Sequence, residues 1–341
     1  MTKILIVRRD NIGDLICTLP LIASIRRVKP DARIDLLVNS YSAAVVSSNP
    51  DLDHVYVYTK AKHRNQGESV VRVYARRLWM TFQLRFVRYD WVVLANVGCL
   101  PRPLRWAKQI RATNIVGFLT TDCPGAEVLT HPIPLIRGKN LHEVEYLMQL
   151  LKPFGEVADI PAARISPEPA ALLRARQGLQ PVGATKQLVG INISARLISQ
   201  QWPAEQFIEL IKQLQTEYRC VLFWSPGSAN NPGHPGDDEK AQHIINACPD
   251  ADLLAYPTQT LVDLIAGISC TDLLITADGG ALHIGAACNK PIVAMFGDSD
   301  ATQWYPWAVP HIILQKESRD VRSIAASEVA AACRQLLAER A

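Results

Sequence analysis

The chain has 341 residues, with 36 basic and 32 acidic side chains and a net charge of +4 at neutral pH. Its proportions of apolar and charged residues are those of an ordinary globular protein and exclude a fibrous or low-complexity chain. Every apolar run falls short of the roughly 18 residues that a membrane-spanning helix needs. The apolar start KILIV is predicted to be a strand, not a secretion signal, so we expect a cytoplasmic protein.

Strands and helices alternate through the first half of the chain. Predicted strands cover residues 3–8, 32–38, 54–58, 91–95 and 115–118, and predicted helices cover 15–28, 41–48, 70–87, 102–110 and 142–154. This alternation favours a parallel sheet flanked by helices. We place a first domain at residues 1–157, and the Pro- and Ala-rich stretch that follows predicts an interdomain linker at 158–187.

A second alternating set forms the predicted second domain, residues 188–341. Predicted strands cover 188–193, 219–224, 252–255, 273–275 and 291–296, and predicted helices cover 204–217, 239–247, 261–269 and 327–338. A polar loop rich in Gly and Pro is predicted at 225–238. The fold class is therefore α/β, with two doubly wound domains.

Eight cysteines are scattered along the chain, and none belongs to a C-x-x-C pair. This spacing argues against a zinc or thioredoxin-type site. Most of the cysteines lie in apolar runs, so we expect reduced thiols in the core.

The segment TADGGALHIGAA, residues 276–287, lies between two apolar strands and predicts a strand-loop-helix-strand unit. Ligands of open α/β sheets bind at the carboxyl ends of strands, where a helix start offers free N–H groups to an anion. The segment therefore predicts a site for a phosphate-bearing small molecule, with Asp278 available to hold sugar hydroxyls. His283, about one turn into the helix, is more typical of a structural histidine than of a base.

The segment RRDNIGD, residues 8–14, joins the first strand to the first helix and lacks the G-x-G-x-x-G fingerprint of dinucleotide sites. Asp14 is either a helix N-cap or a general base that faces a substrate hydroxyl. In the segment NISAR, residues 192–196, Ser194 and Arg196 indicate a phosphate clamp, although an exposed loop arginine is an equal alternative.

The charge is divided unevenly. Residues 1–152 carry 22 basic and 12 acidic side chains, whereas residues 153–341 carry 14 and 20. A basic half is typical of a protein that meets an anionic partner, and an incidental difference between two surfaces is the alternative. Asp-x-Asp pairs at 51/53, 250/252 and 298/300 are able to bind a divalent ion, but no His, Cys or Glu cluster accompanies them. We therefore predict no catalytic metal.

Taken together, these segments resemble glycosyltransferase family 9, the heptosyltransferases of lipopolysaccharide core synthesis. The resemblance extends over nearly the whole chain, from KILIVRRDNIGDLICTLPLIASIRRVKPDARIDLLV through HEVEYLMQLLKPFG and QWPAEQFIELIKQL to TADGGALHIGAA and KPIVAMFGDSD. It implies a GT-B fold, in which two Rossmann-like domains face each other across a cleft. The first domain would hold the acceptor and the second the nucleotide-sugar donor.

The resemblance implies that Asp14 is the catalytic base, and we place Asn11 and Gly13 beside it on the acceptor side. We assign donor binding to Ser194, Ala195, Arg196, Gln200, Gln259, Asp278, Gly279, Gly280 and His283. Two positions depart from the family pattern, since Gly279 stands where threonine is usual and Gln200 where a lysine is usual.

The implied reaction is inverting, metal-independent and cofactor-free transfer of a heptose to a lipopolysaccharide core acceptor, with ADP-L-glycero-D-manno-heptose as the typical donor. The expected partners are the nucleotide sugar and an anionic glycolipid, without nucleic acid, and the expectation includes peripheral contact with the inner face of the inner membrane. Two alternatives stay open. A nucleotide-sugar epimerase would turn over the donor without an acceptor, and a non-catalytic relative would bind the donor without releasing ADP.

Overall fold

A computed structural model describes residues 1–59, 70–136, 140–180, 185–230 and 235–339. The chain divides into two compact units, Met1–Ala163 and Arg164–Ala341. Parts of the predicted linker and of the predicted polar loop at 225–238 lie outside the described residues.

The first unit is built on a six-stranded sheet in which every recorded pair is parallel. Its strands are β1 Lys3–Val7, β2 Arg33–Asn39, β3 His54–Tyr58, β4 Trp91–Leu94, β5 Asn114–Leu119 and β6 His131–Pro134. They lie in the order β3-β2-β1-β4-β5-β6. The sequence pattern did not predict β6, because two prolines in HPIP cannot donate to a ladder. Such a strand is tolerated at a sheet edge, which is where β6 lies.

The second unit repeats this topology. Its strands are β7 Leu188–Asn192, β8 Arg219–Trp224, β9 Leu253–Pro257, β10 Leu273–Ala277, β11 Ile292–Phe296 and β12 His311–Gln315. They lie in the order β12-β11-β10-β7-β8-β9, again with parallel pairs. In both sheets the strand order reverses at the first and fourth strands, β1 and β4 or β7 and β10. Doubly wound sheets bind ligands at this switch point.

Helices cover the two sheets. The helices of the first unit are α1 Ile12–Ile16, α2 Leu19–Val28, α3 Val70–Val87, α4 Pro101–Ile110 and α5 Glu143–Met148. Those of the second unit are α6 Pro169–Leu179, α7 Ala204–Leu214, α8 Asp238–Ala247, α9 Leu261–Ser269, α10 Gly280–Ala287, α11 Ala301–Trp304 and α12 Ala326–Ala338. Within the described residues, none of the helices combines the length and the apolar character needed to cross a membrane.

Three predicted helices differ from the observed ones. The single helix expected at 15–28 is two helices, because Pro20 has no N–H to continue the ladder and instead lies in the first turn of α2. The helix expected at 41–48 is one short 3-10 turn, Ala43–Val46. The helix expected at 142–154 is α5 followed by a 3-10 turn, Gln149–Leu151.

The segment expected to be a linker, residues 158–187, is largely part of the second unit. Helix α6 packs against α9, and its residues Ala171 and Ala175 are buried. The backbone N–H of Ile165 donates to a carbonyl at the end of α10, and the side chain of Gln180 donates to the Cys270 carbonyl at 2.7 Å. These contacts place the division between the two units at Ala163 and Arg164.

Cys99 and Cys123 form a disulfide between the loops that follow β4 and β5, and their Cα atoms are 5.8 Å apart. The expectation of reduced thiols is therefore wrong for this pair. Both cysteines lie in loops at the ends of adjacent strands, and not inside the apolar runs on which that expectation was based. Cysteines 17, 220, 248, 270 and 333 are buried, and Cys288 is partly buried.

Candidate active site

The loop that follows β1 is fixed by side chains from both neighbouring strands. Asn39, the last residue of β2, donates to the carbonyls of Arg9 at 3.1 Å and of Asp10 at 2.7 Å. Asn96, which follows β4, donates to the Asp10 carboxylate. These bonds hold residues 8–11 at the switch point of the first sheet, directly before helix α1.

Asp14 is the third residue of α1, so the alternative that it is the N-cap is wrong. The N-cap is Asn11, whose backbone N–H donates to Asp14 Oδ2 at 3.0 Å. Asp14 Oδ1 accepts a hydrogen bond from Arg8 Nη2 at 2.7 Å. A carboxylate has about four acceptor positions, so two remain for substrate. With 19% of its side chain exposed, Asp14 is an oriented carboxylate that is able to accept a proton.

Arg8 is almost completely buried and lies among three carboxylates. Its guanidinium is 2.7 Å from Asp14, 3.1 Å from Glu143 and 3.5 Å from Asp10. It also donates to the carbonyl of Ala95, next to β4. Burial lowers the pKa of the Arg8 guanidinium, but the three carboxylates outweigh burial and the pKa lies above its ordinary value. One guanidinium that contacts three carboxyl groups therefore fixes the orientation of Asp14.

Sequence reasoning missed Arg8 and Glu143 as site residues. Glu143 is buried and begins α5, and the buried residues Leu147 of α5 and Leu150 of the following 3-10 turn recur at helical spacing from it. A carboxylate on the apolar face of a predicted helix indicates a buried partner of opposite charge. The partner here is 135 positions away, which no local pattern shows.

Two other residues of the segment 8–14, Arg9 and Gly13, are held within the first unit. Gly13 is buried within α1. Arg9 donates to the Tyr58 hydroxyl at 2.8 Å, and its guanidinium lies over the rings of Tyr58 and Trp106, at 5.0 and 5.6 Å from their centroids. Arg9 is therefore held inside the unit by hydrogen bonding and cation–π contact.

In the second unit, Ser194 ties two loops together. Its hydroxyl donates to Asp237 at 2.5 Å and accepts from the Ser225 backbone N–H at 2.9 Å, so it connects the loops after β7 and β8. A hydroxyl has one proton to donate, and here that proton goes to a carboxylate. The structure therefore does not present the Ser194 hydroxyl as the donor of a phosphate clamp. Burial raises the pKa of Asp237 despite the hydrogen bond from Ser194.

Arg196 is the exposed cation of the loop after β7. It forms no ion pair with any residue that the structure describes, which leaves its guanidinium available to a ligand. The loop beneath it is rigidly held, since Gln201 donates to the Ala195 carbonyl at 3.2 Å and Lys240 donates to the carbonyls of Ile193 and Trp202. Burial lowers the pKa of Lys240.

Gln200 is a buried neighbour of Asp278. Its side-chain amide donates to Asp278 Oδ2 at 2.8 Å and to Ser299 Oγ at 2.9 Å. Burial raises the pKa of Asp278, partly offset by hydrogen bonds from Ser299, the Gly279 N–H and Gln200. The neutral amide at the position of the family lysine therefore has its own role, because it supports the carboxylate of the Asp-Gly-Gly loop.

The backbone conformation at Gly279 explains why this position has glycine where threonine is usual in the family. Its backbone has φ +149° and ψ −166°, a region that is essentially restricted to glycine. It is the N-cap of α10, and Gly280 is the first residue of that helix. A threonine at Gly279 would require a different loop conformation.

Two assigned donor residues lie apart from this loop. His283 is buried in α10, with its ring edge-to-face against Trp304 at 5.8 Å. Gln259 is exposed beyond the end of β9, three strands from β10, a distance of about 14 Å. The structure thus brings Gln200, Asp278 and Gly279 together but does not bring Gln259 to them.

The Asp-x-Asp pairs carry structural hydrogen bonds. Asp300 caps α11, accepting from both the backbone and the hydroxyl of Thr302, and these bonds lower its pKa. Asp53 is paired with Arg26 at 2.7 Å. In the part of the chain that the structure describes, no group of three His, Cys, Asp or Glu side chains is arranged to hold a metal ion.

Comparison with known proteins assigns the family. The family model for glycosyltransferase family 9 (heptosyltransferase) matches residues 109–328, nearly two thirds of the chain. The chain belongs to glycosyltransferase family 9. The match includes the Asp-Gly-Gly loop of the second unit, but it begins at residue 109 and therefore does not include Asp14.

The matches to individual relatives and solved structures cover most or all of this chain. Lipopolysaccharide heptosyltransferase 3 of Escherichia coli is 26% identical, over 87% of this chain and 84% of the relative. A family 9 glycosyltransferase structure from Veillonella parvula has a TM-score of 0.83 at 21% identity, covering 99% and 97% of the two chains. The Escherichia coli heptosyltransferase WaaC with ADP has a TM-score of 0.79 at 18% identity, covering 100% of both. The implied α/β GT-B fold is confirmed, and this family 9 member is a glycosyltransferase.

Proposed function

We propose that this glycosyltransferase moves a heptose from ADP-heptose to a lipopolysaccharide core acceptor, with inversion and without a metal ion or cofactor. The observation that carries the proposal is Asp14, a partly exposed carboxylate oriented by Arg8 and Asn11 at a switch point. The substrates are supported by relatives, one of which is a lipopolysaccharide heptosyltransferase and another of which was solved with ADP.

In the proposed reaction, Asp14 is the general base. A hydroxyl oxygen of the acceptor attacks the anomeric carbon of the heptose while Asp14 takes the hydroxyl proton. The bond from the anomeric carbon to the β-phosphate oxygen breaks, and its electron pair leaves with ADP. A single displacement of this kind inverts the anomeric centre.

The second unit holds the donor in this proposal. Asp278 accepts hydrogen bonds from sugar hydroxyls, and the start of α10 offers backbone N–H groups to phosphate oxygens. Arg196, exposed on the loop after β7, supplies the cation for the departing diphosphate. The engagement of Asp300 as a helix cap supports a reaction without a metal ion at the Asp298 and Asp300 pair.

The test is nucleotide release from a panel of ADP-, GDP- and UDP-sugars, each with and without a deacylated core acceptor. We expect release of ADP from ADP-heptose only when the acceptor is present, at the same rate in EDTA as in magnesium, and a product of inverted anomeric configuration by NMR. Conversion of the donor without acceptor would identify an epimerase. Binding of the donor without any release would identify a non-catalytic protein, and strong stimulation by magnesium would contradict the metal-free reaction.

A further inference from the structure

Helix α3 presents a second apolar face away from the core. Leu78, Trp79, Phe82 and Phe86 are 72%, 62%, 52% and 70% exposed. Residues spaced three or four apart lie on one side of a helix, so these four side chains form one surface. We call these four residues the outer face of α3.

The opposite side of the same helix packs against the core of the first unit. Met80 and Leu84 are buried in the core of the first unit. The outer rings pack on one another instead, with centroids 6.0 Å apart for Trp79 and Phe82 and 4.5 Å apart for Phe82 and Phe86. A contiguous exposed patch of large apolar side chains is typical of an interaction surface.

The charged residues of α3, together with Arg88, which follows it, are all basic. Residues 70–88 contain five arginines and no acidic residue. Arg85 and Arg88 are exposed at the same end of α3 as Phe86. Aromatic side chains interleaved with arginines are the composition of helices that lie in the headgroup region of a bilayer, where rings enter the interface and cations meet lipid phosphates.

We propose that the outer face of α3 docks this protein on a bilayer that contains anionic lipid. A second copy of the chain fits less well, because an isologous contact through this face would place arginines against arginines. Anionic lipid phosphates complement the arginines, and the interface accommodates the rings. The proposal deepens the proposed function and rests on it for its purpose, since a lipopolysaccharide acceptor is anchored in a membrane by its lipid.

The test is co-sedimentation of the full chain with phosphatidylcholine vesicles, with and without phosphatidylglycerol. We expect binding only when phosphatidylglycerol is present, weakened by salt because exposed charges are screened. The variant Trp79→Ser/Phe82→Ser/Phe86→Ser should bind at least about tenfold more weakly. Arg85→Ser/Arg88→Ser should lose the preference for phosphatidylglycerol.

The matched control replaces exposed apolar residues elsewhere, Ile136→Ser/Ile160→Ser/Leu173→Ser, and should bind vesicles like the wild type. Each variant is also assayed for ADP release with a deacylated acceptor, which needs no membrane and should proceed at the wild-type rate. If the triple aromatic variant fails to fold, the single change Phe86→Ser, close to the end of α3, decides the question.

Two results would overturn the docking proposal. The first is a wild-type chain that ignores phosphatidylglycerol vesicles, and the second is a dimer in sedimentation equilibrium that the aromatic variant converts to a monomer. If either result is accompanied by normal ADP release with the soluble acceptor, the docking proposal is rejected and the proposed function is retained. Vesicle binding without transfer from any donor would instead reject the proposed function and keep the docking surface.

Discussion

Arg8 donates to Asp14 at 2.7 Å from a position that is almost completely buried. The same nitrogen of Arg8 lies 3.1 Å from Glu143, a carboxylate of helix α5 that is buried as well. The orientation of the proposed base therefore depends on an arginine whose charge is shared with a second, non-reacting carboxylate. Replacing Arg8 should therefore affect both the stability of the protein and the orientation of Asp14.

Arg8→Met should lower the free energy of unfolding by about 3–5 kcal/mol, because it removes the cation that faces the buried carboxyl group of Glu143. Arg8→Met/Glu143→Gln should recover much of that loss in urea denaturation, since the buried carboxylate that faced Arg8 is replaced by a neutral amide. The recovered double variant should still show a reduced kcat with an unchanged KM for the donor, because Asp14 is no longer held. A double variant with wild-type kcat would remove Arg8 from the positioning of Asp14.

Arg196→Ala should weaken donor binding by about 1.5–3 kcal/mol, the usual loss for a charge-assisted bond to phosphate. Gln200→Lys should be tolerated, because its ammonium would lie beside Asp278, which now accepts from the Gln200 amide at 2.8 Å. If a lysine there also reaches the diphosphate, Gln200→Lys should partly rescue Arg196→Ala in calorimetric titration with ADP. Arg196→Lys is the control that keeps the charge, and a silent Arg196→Ala would transfer the phosphate role to another group.

Gly279→Ala and Gly279→Thr should each cost about 1–3 kcal/mol of stability, because the backbone there is in a region reserved for glycine. Apart from its two neighbours in the chain, no atom of the described residues lies within 4 Å of a Cβ added at Gly279, so the penalty comes from the backbone conformation. The matched control is Gly280→Ala, one residue later in the first turn of α10, which should cost less. Equal unfolding free energies for Gly279→Thr and the wild type would show that the loop adopts the family conformation.

Asp237→Asn should stabilise the protein increasingly as the pH rises from about 4 to 7. Burial raises the pKa of Asp237 in the folded state above the ordinary value of 3.8. Its favourable contribution is therefore complete below that ordinary value and is lost as the pH rises through the folded pKa. Asparagine keeps an oxygen for the Ser194 hydroxyl and carries no charge.

The measurement for Asp237→Asn is the difference in Tm between variant and wild type across that pH range. A difference that shrinks with rising pH would mean that Asp237 is stabilised as a carboxylate by Ser194 and Lys240.

Local patterns in the sequence sufficed for the elements that dominate the fold. Residues 54–58 and 261–269 form β3 and α9 with the predicted bounds, because apolar periodicity and turn residues mark both ends. Strands β6 and β12 were not predicted, because two prolines interrupt β6 and because every residue of β12 is only partly buried. The division into α1 and α2 was not predicted, because the apolar stripe continues across it and only Pro20 indicates a new helix start.

The candidate site was harder to predict because its contacts span long separations. Asp14 and Asp278 could be singled out because each follows a strand and precedes or opens a helix. The partners of these carboxylates could not be read locally, since Gln200 is 78 positions from Asp278 and Glu143 is 135 positions from Arg8. Ser194 was assigned to phosphate binding because the sequence does not show that its hydroxyl donates a hydrogen bond to Asp237, 43 positions away.

The most direct test of the central claim, that Asp14 is the general base, is single-turnover transfer by Asp14→Asn with saturating donor and acceptor. Removing a general base typically costs about 100-fold or more, so we expect that loss in the rate with an unchanged calorimetric affinity for ADP. Asp10→Asn, the same change on another carboxylate beside Arg8, is the matched control and should lose much less. Near-normal turnover by Asp14→Asn, or an equal loss in Asp10→Asn, would contradict the assignment.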